Sequence, residues 1–388
     1  MKPLPKTVWA LGFVSLCMDF SSELVHSLLP VFMTAVLGAS MVAVGLVEGI
    51  AEATASIARV FSGALSDRLG RRKPLVLLGY GLAAASKPLF PLAASLPLVL
   101  AARFMDRLGK GIRGAPRDAL IADVTPAGLR GAAYGLRQAL DTAGAVLGPL
   151  AAVGLMLLLA SDIRAVLWLA AAPAVAAIVV LVVWVREPER AGASSSPGNP
   201  IPLSSLKSLG GHYWLIVGLG AVLTLARFSE AFLVLRAQDL GVALALVPAV
   251  LVIMNVAYAA VAYPAGVAAD RGRRNALLVW GLSALIASDL LIAWTVSFPA
   301  FFAGIALWGV HMGLTQGLLS TLVANAAPAD LRGTAFGVFH LVSGVALLAA
   351  SVLAGWLWSA YGAAATFYAG AAFTALALAG LLAAAKSR

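Results

Sequence analysis

The sequence predicts an all-α integral membrane protein with twelve transmembrane helices in two pseudo-symmetric six-helix bundles. Three observations lead there. Of 388 residues, 61% are apolar and 11% charged, and mean hydropathy is +0.95, whereas soluble domains carry about 25% charged residues. Stretches of the roughly 20 apolar residues that a bilayer-spanning helix needs recur along the chain with short polar breaks. They are continuous and rich in Ala, Leu, Val and Gly, without the alternation of an outer-membrane strand, so the backbone has to be satisfied within helices. The two halves also repeat each other's motifs at nearly one offset.

In chain order the predicted spans are 8–34, 41–65, 75–94, 97–123, 131–158 and 164–184, then 209–236, 245–268, 276–295, 299–324, 333–358 and 363–384. Lys2 and Lys6 lead into the first, which continues past signal-peptide length without a small-residue cleavage site, so it is expected to stay. After the sixth comes "REPERAGASSSPGNPIPLSSLKS", with the Pro, Gly and Ser content of a flexible linker. The expected organisation is an N-terminal bundle over 1–185, a linker over 186–207 and a C-terminal bundle over 208–388.

An even number of spans puts both termini on one side, together with every loop that follows an even-numbered span. Those loops hold Arg68, Arg71, Arg72, Lys73, Arg130, Arg186, Arg190, Lys207, Arg271, Arg273, Arg274 and Arg332, while the opposite loops hold little beyond Arg164. The positive-inside rule therefore places the termini and linker in the cytoplasm, with the chain multi-pass in the cell inner membrane. The net charge of +10 is charge flanking helices, so no nucleic-acid partner is expected. Cys17 is the single cysteine, which excludes an intramolecular disulfide framework and a Cys-based zinc site.

The repeat is read from two loops. "ADVTPAGLRGAAYGLRQ" from Ala122 aligns with "ANAAPADLRGTAFGVFH" from Ala324, placing Arg130 opposite Arg332. "GALSDRLGRRK" from Gly63 meets "GVAADRGRRN" from Gly266, placing Asp67 opposite Asp270 at an offset one residue longer. Duplicated six-helix units are how many transporters build a central site. The first of these loop sequences, between spans two and three, resembles the long loop motif of the major facilitator superfamily, and its weaker copy follows span eight, so the resemblance covers essentially the whole chain.

That resemblance implies alternating-access secondary transport of a small molecule, with Gly63, Asp67, Arg68, Arg71, Arg72, Asp270 and Arg271 latching the cytoplasmic ends of the halves in the outward-facing state. Physically, Gly63 allows close helix approach, and Asp67 can cap a neighbouring helix or pair with Arg68 or Arg71. For Lys73 alone, fixing topology is the better reading.

The fourth span is charged where it should be apolar. Arg103, Asp106, Arg107, Lys110, Arg113 and Arg117 follow at spacings of three and four, on one stripe. Each central charge facing lipid would cost about 2.5–3.5 kcal/mol, so the stripe has to face protein or a wet cavity. Arg113 and Arg117, nearer the cytoplasmic end, have snorkelling as an alternative. Arg107-x-x-Lys110-Gly111 resembles the family's fourth-helix motif, whose arginine is associated with proton coupling. It departs from that motif by Lys110 at the usual polar position and by Arg113 in place of a small residue. The extra cations also suit an anionic substrate.

Acids to oppose these cations stand on the neighbouring spans. Asp19, Ser22, Glu23 and His26 share a face of the first, and Glu48, Glu52 and Arg59 share one of the second. A carboxylate that loses its cation takes up a proton and releases it when the cation returns. Asp19 and Glu23 are the expected proton carriers with Arg107 as the exchangeable partner. Glu48 and Glu52 serve equally well as permanent ion pairs. The fifth span supplies Arg137, Gln138 and Asp141 ahead of "GAVLGPL", in which Gly144 and Gly148-Pro149 resemble the family's antiporter motif, implying export by exchange. The motif's further glycines are replaced by Leu150, Ala151 and Ala152.

The second half has few membrane charges, namely Arg227, Glu230, Arg236 and Asp289, and it reads "RFSE" where the first reads "DFSSE". The expected substrate cavity takes His26, Arg103, Lys110, Arg137 and Gln138 from the first half, and Arg227, Glu230, Asn255, Tyr258, Trp308, His311, Gln316 and His340 from the second. Aromatics with a few polar groups suit an organic solute, although each also serves helix packing. His311-Met312 with His26, His340 and Met254 lacks paired i, i+4 ligands, so no metal is expected. No Walker loop, dinucleotide fingerprint or nucleophile elbow is present in the sequence.

The expectation is therefore a non-enzyme without cofactors that draws on the proton gradient and exports a small organic solute or drug. Its partners are that solute, protons and the lipid bilayer, and it works as a monomer. Uptake of an anionic solute or metal chelate, such as a carboxylate or siderophore, and a non-transporting membrane receptor are the alternatives.

Overall fold

The computed structural model describes residues 4–69, 71–187, 209–327 and 331–386. The expected linker lies almost wholly outside the described residues, as do the side chains of Asp67, Arg68, Asp270 and Gln316. Among the described residues there are no strands. Fifteen α-helical segments among the described residues build twelve spans. In the first half they are α1 (Lys6–Val31), α2 (Met41–Leu69), α3 (Lys73–Ser86) with α4 (Leu89–Leu92), α5 (Leu96–Val124), α6 (Arg130–Leu158) and α7 (Ile163–Leu169) with α8 (Ala171–Trp184). In the second they are α9 (Gly211–Ala226) with α10 (Ala231–Asp239), α11 (Ala249–Asp270), α12 (Arg274–Trp294), α13 (Phe298–Ala326), α14 (Arg332–Tyr361) and α15 (Ala363–Lys386).

Eleven of the spans are long and apolar enough to cross a membrane. The twelfth, α5, has 29 residues and so a length of about 43 Å, but its charges keep it below that apolarity. The broken spans have local causes. Pro88 cannot donate to the carbonyl four residues back, and the chain turns at Lys87 between α3 and α4. Pro173 follows the break between α7 and α8, where Ser21 Oγ donates to the Ala170 carbonyl at 2.6 Å.

The described residues pack as two units, those within 1–32 and 54–200 and those within 33–53 and 201–388. In the first unit α1 packs against α6 and α8, and α3 against α5 and α8. Val8, Leu11, Val14 and Met18 descend one face of α1 onto Val76 and Tyr80 of α3 and Ala174, Ala177 and Leu181 of α8. In the second unit α13 packs against α11 and α12, α12 against α15, and α9 against α14 and α15. Tyr213 is fully buried there, its hydroxyl donating to the Ala335 carbonyl at 2.8 Å. Residues 33–53 join this unit because the first turns of α2 lie against α14. A methyl group on Gly45 would fall 2.1 Å from the Ser351 carbonyl oxygen, and one on Gly355 2.3 Å from that of Met41. Large apolar side chains such as Leu158, Val183 and Trp280 remain exposed on the outside, as a lipid-facing surface requires.

Candidate functional site

The charged wall of the first unit is built where α1, α5 and α6 meet. Asp19 and Glu23 are one turn apart on α1, and Gly144 and Gly148 are one turn apart on α6. A methyl group on Gly144 would lie 2.6 Å from the Leu16 carbonyl oxygen and 3.2 Å from Asp19 Cβ. One on Gly148 would lie 2.5 Å from the Phe20 carbonyl oxygen and 3.2 Å from Glu23 Cβ. The two glycines thus bring the α6 backbone against α1 at the two acids. A methyl on Gly63 would meet Ala115 Cβ at 3.4 Å, an ordinary contact among the described residues.

Two ion clusters result. Asp106 of α5 accepts from Lys87 Nζ at 2.7 Å, and Lys87 also donates to Ser22 Oγ at 2.9 Å. Arg103 and Arg107 approach the same carboxylate at 3.9 and 3.8 Å. All four charged side chains are buried. The second cluster surrounds Asp19 and Asp141. Arg113 lies 3.8 Å from Asp19, with its guanidinium 4.5 Å from the centre of the Tyr80 ring. Arg137 donates to Asp141 at 2.8 Å, and Arg117 stands 3.9 Å from Asp141 while donating to Ser15 and Asp118. Asp19 and Asp141 are near enough for their charges to act on each other within this ring of cations. Asp141 Oδ1 is buried and has no hydrogen-bond partner among the described residues.

These contacts redistribute the pairs expected from spacing. Arg107, expected to exchange with Asp19, is ion-paired with Asp106, and Arg113 is the cation at Asp19. Arg113 and Arg117 point into the unit rather than snorkelling, since their neighbours are Asp19, Asp141, Tyr80 and Ser15. Glu23 pairs with His26 at 3.3 Å and also feels the charges of Lys110 and Arg107. Lys110 acts on Asp19, Glu23 and Asp141, yet it makes no hydrogen bond or ion pair among the described residues and is only partly buried. Gln138 is exposed and accepts from Arg137 at 2.7 Å. Glu48, buried, and Glu52 lie on the part of α2 that belongs to the second unit.

Among the loop residues, Arg72 pairs with Asp123 at 2.7 Å and donates to Ser66 Oγ at 3.3 Å, and its backbone N–H and that of Lys73 meet the Glu187 carboxylate. This ties the loop to the ends of α5 and α8. Arg71 and Arg271 are exposed.

In the second unit Arg227 and Glu230 flank the unwound stretch between α9 and α10. The charge of Arg227 reaches His311, Glu230 and Tyr258. Asn255 and Tyr258 stand on α11, and His340 on α14 beside Phe336 and Phe339. His311 Nδ1 donates to the Gly281 carbonyl at 2.9 Å, which leaves Nε2 bare and buried. Trp308 packs on Phe228, whose ring also touches Phe232 and Phe367. Asp289 is 0% exposed, with neither oxygen hydrogen-bonded among the described residues. Among those residues no three His, Cys, Asp or Glu side chains gather as a metal site would require.

Reasoning from the sequence overlooked Lys87, and it left Asp106, Arg113, Arg117 and Asp289 out of the expected site. The signal for Lys87 was a lone cation beside a proline inside an apolar span.

The family model described as Major Facilitator Superfamily matches residues 11–235 and 228–387. An uncharacterized MFS-type transporter of Methanocaldococcus jannaschii is 33% identical over 364 residues, 92% of this chain and 89% of that protein. The inner membrane transport protein YajR of Escherichia coli is 26% identical over 96% of this chain and 81% of its own length. The multidrug resistance protein MdtH of Edwardsiella ictaluri is 26% identical over 79% and 75%. Among solved structures, the nucleoside transporter NupG superposes with a TM-score of 0.81 at 11% identity, covering 97% of this chain and 99% of that one.

Proposed function

Because this chain belongs to the major facilitator superfamily, we propose that it is an alternating-access secondary transporter that exports a small organic solute in exchange for protons. The observation that carries this reading is the Asp19–Asp141 pair, two neighbouring carboxylates contacted by Arg113, Arg117 and Arg137. When Arg113 and Arg117 stay close, their charges favour the ionised acids. When α5 withdraws them, like-charge repulsion leaves one acid protonated. A conformational change that moves α5 against α1 and α6 therefore loads or releases a proton. Glu23, with His26 and the Lys110 charge beside it, is the next acid along α1. The bundles over 1–185 and 208–388 are the moving bodies, joined by the linker, in a monomer of the cell inner membrane with both termini cytoplasmic. The antiporter-like Gly144 and Gly148-Pro149, and the similarity to a multidrug resistance protein, favour export.

One observation favours a second reading. Lys110 is without an ion pair among the described residues, and a buried Nη1 of Arg113 is without a hydrogen bond. Both suit uptake of an anionic solute. Reconstitution into proteoliposomes separates the two, after a thermal-shift screen of drugs, carboxylates and siderophores has supplied a substrate. Accumulation driven by an acid lumen marks exchange, and accumulation driven by an acid exterior marks symport. Binding without movement under either gradient would overturn transport itself.

A further inference from the structure

The first unit has a groove that the charged wall does not use. It lies between α1 and α8 and has a volume of about 730 Å3. Lys6, Thr7 and Arg186 stand at one end, and Phe13, Val183 and Trp184 form its walls. Cys17 closes the other end, eleven residues along α1 from Lys6 and so about 16 Å away. Phe13, Val183 and Trp184 are exposed, so the groove opens outward, on the side where lipid lies.

Its polarity is graded. Lys6 and Arg186 are both exposed and make no ion pair among the described residues, and the first turn of α1 has no acid. The neighbouring acid, Glu187, is turned to the start of α3, where it accepts from the backbone of Arg72 and Lys73. Two cations and a hydroxyl therefore sit at the membrane-surface end of an apolar trough. We propose that this groove binds an anionic phospholipid, its phosphate held by Lys6, Thr7 and Arg186 and an acyl chain lying along Phe13 and Val183 towards Cys17. Charge complementarity selects the headgroup, and the apolar walls select a lipid over a free anion. At roughly fivefold per basic residue near an anionic headgroup, the two cations give about a twenty-five-fold preference over a zwitterionic lipid.

Cys17 is the single cysteine, so its alkylation reports occupancy. The protein in nanodiscs of phosphatidylcholine is compared with the protein in phosphatidylcholine containing phosphatidylglycerol, using a maleimide. Native mass spectrometry of the released complexes is the second readout. Phosphatidylglycerol is expected to slow alkylation about tenfold and to remain as a bound adduct. Lys6→Gln/Arg186→Gln erases both effects, Lys6→Arg/Arg186→Lys keeps both, and Val183→Trp, which fills the trough, loses the adduct. Equal alkylation and equal adducts in the two lipids, or an adduct that survives Lys6→Gln/Arg186→Gln, would overturn the proposal. So would protection of Cys17 by glycerol 3-phosphate in phosphatidylcholine discs, which would make this a free-anion site.

Discussion

The two halves share sequence motifs but differ in how particular buried acids are paired. In the first unit the acids have cations within reach: Lys87 on Asp106, Arg113 on Asp19 and Arg137 on Asp141. In the second, Asp289 is buried without a hydrogen bond among the described residues. The related stretches "DFSSE" and "RFSE" diverge as well. In α1 the two serines bond to other elements, Ser21 to Ala170 and Ser22 to Lys87, and the helix continues. Between α9 and α10 the Ser229 hydroxyl accepts from the Ala231 N–H, and the Ser229 N–H leaves the helix for Ser351, so the helix opens. A paired, exchangeable network suits coupling to protons. Asp289 has no such cation to exchange among the described residues.

The comparison breaks most sharply in transport. Asp19→Asn and Asp141→Asn are each expected to lower gradient-driven movement in proteoliposomes at least ~100-fold, in the range that a positioned proton-transfer group supplies. Asp289→Asn should leave it within about twofold. Equal losses in all three, at matched amounts of folded protein, would show that coupling is not confined to the first unit.

The next effect is on stability. Lys87→Met removes the cation hydrogen-bonded to buried Asp106, and breaking one side of a buried pair costs about 3–5 kcal/mol. Arg103 and Arg107 stand 3.9 and 3.8 Å away and should hold the loss near the lower end. Thermal unfolding in detergent measures it, with Lys87→Arg as the charge-keeping control. An unchanged midpoint in Lys87→Met would mean that the Asp106 cluster is not a structural anchor.

Helix packing comes third. Gly148→Ala puts a methyl 2.5 Å from the Phe20 carbonyl, so α6 has to move off α1 and take Asp141 away from Asp19. A loss of about 1–3 kcal/mol and roughly tenfold slower coupled transport are expected. Gly154→Ala in the same helix meets nothing within 4 Å and should change neither property.

The fold is legible in the sequence because apolar run length sets the number of spans and the loop after Gly63 sets their family. Even the charged α5 shows itself, since its stripe at spacings of three and four is a helical period. The site is legible only by face. Spacing along one helix tells which side chains point together, but which acid meets which cation depends on the rotation and depth of two helices. Hence Arg113 rather than Arg107 stands at Asp19. Lys87 has no periodic companion, and its inward turn comes from the break at Pro88. Ser229 and Ser21 are alike in sequence, and only their neighbours Ser351 and Ala170 decide which one opens its helix.

The smallest expected effect tests the isolated acid itself. Asp289 Oδ2 lies 2.6 Å from where a methyl on Gly370 would sit, and that same position is 3.0 Å from the Phe228 ring. A carboxyl group packed there without hydrogen bonds should cost free energy whether or not it holds a proton, because water would satisfy it and the protein does not. Asp289→Leu, which keeps the branched shape and the number of side-chain heavy atoms without the polar group, is therefore expected to raise stability by about 1–2 kcal/mol, seen as a higher unfolding midpoint in detergent. If the midpoint instead falls while Asp289→Asn restores it, the carboxyl has a polar partner in the membrane. The two halves would then differ only in which partner their buried acids use.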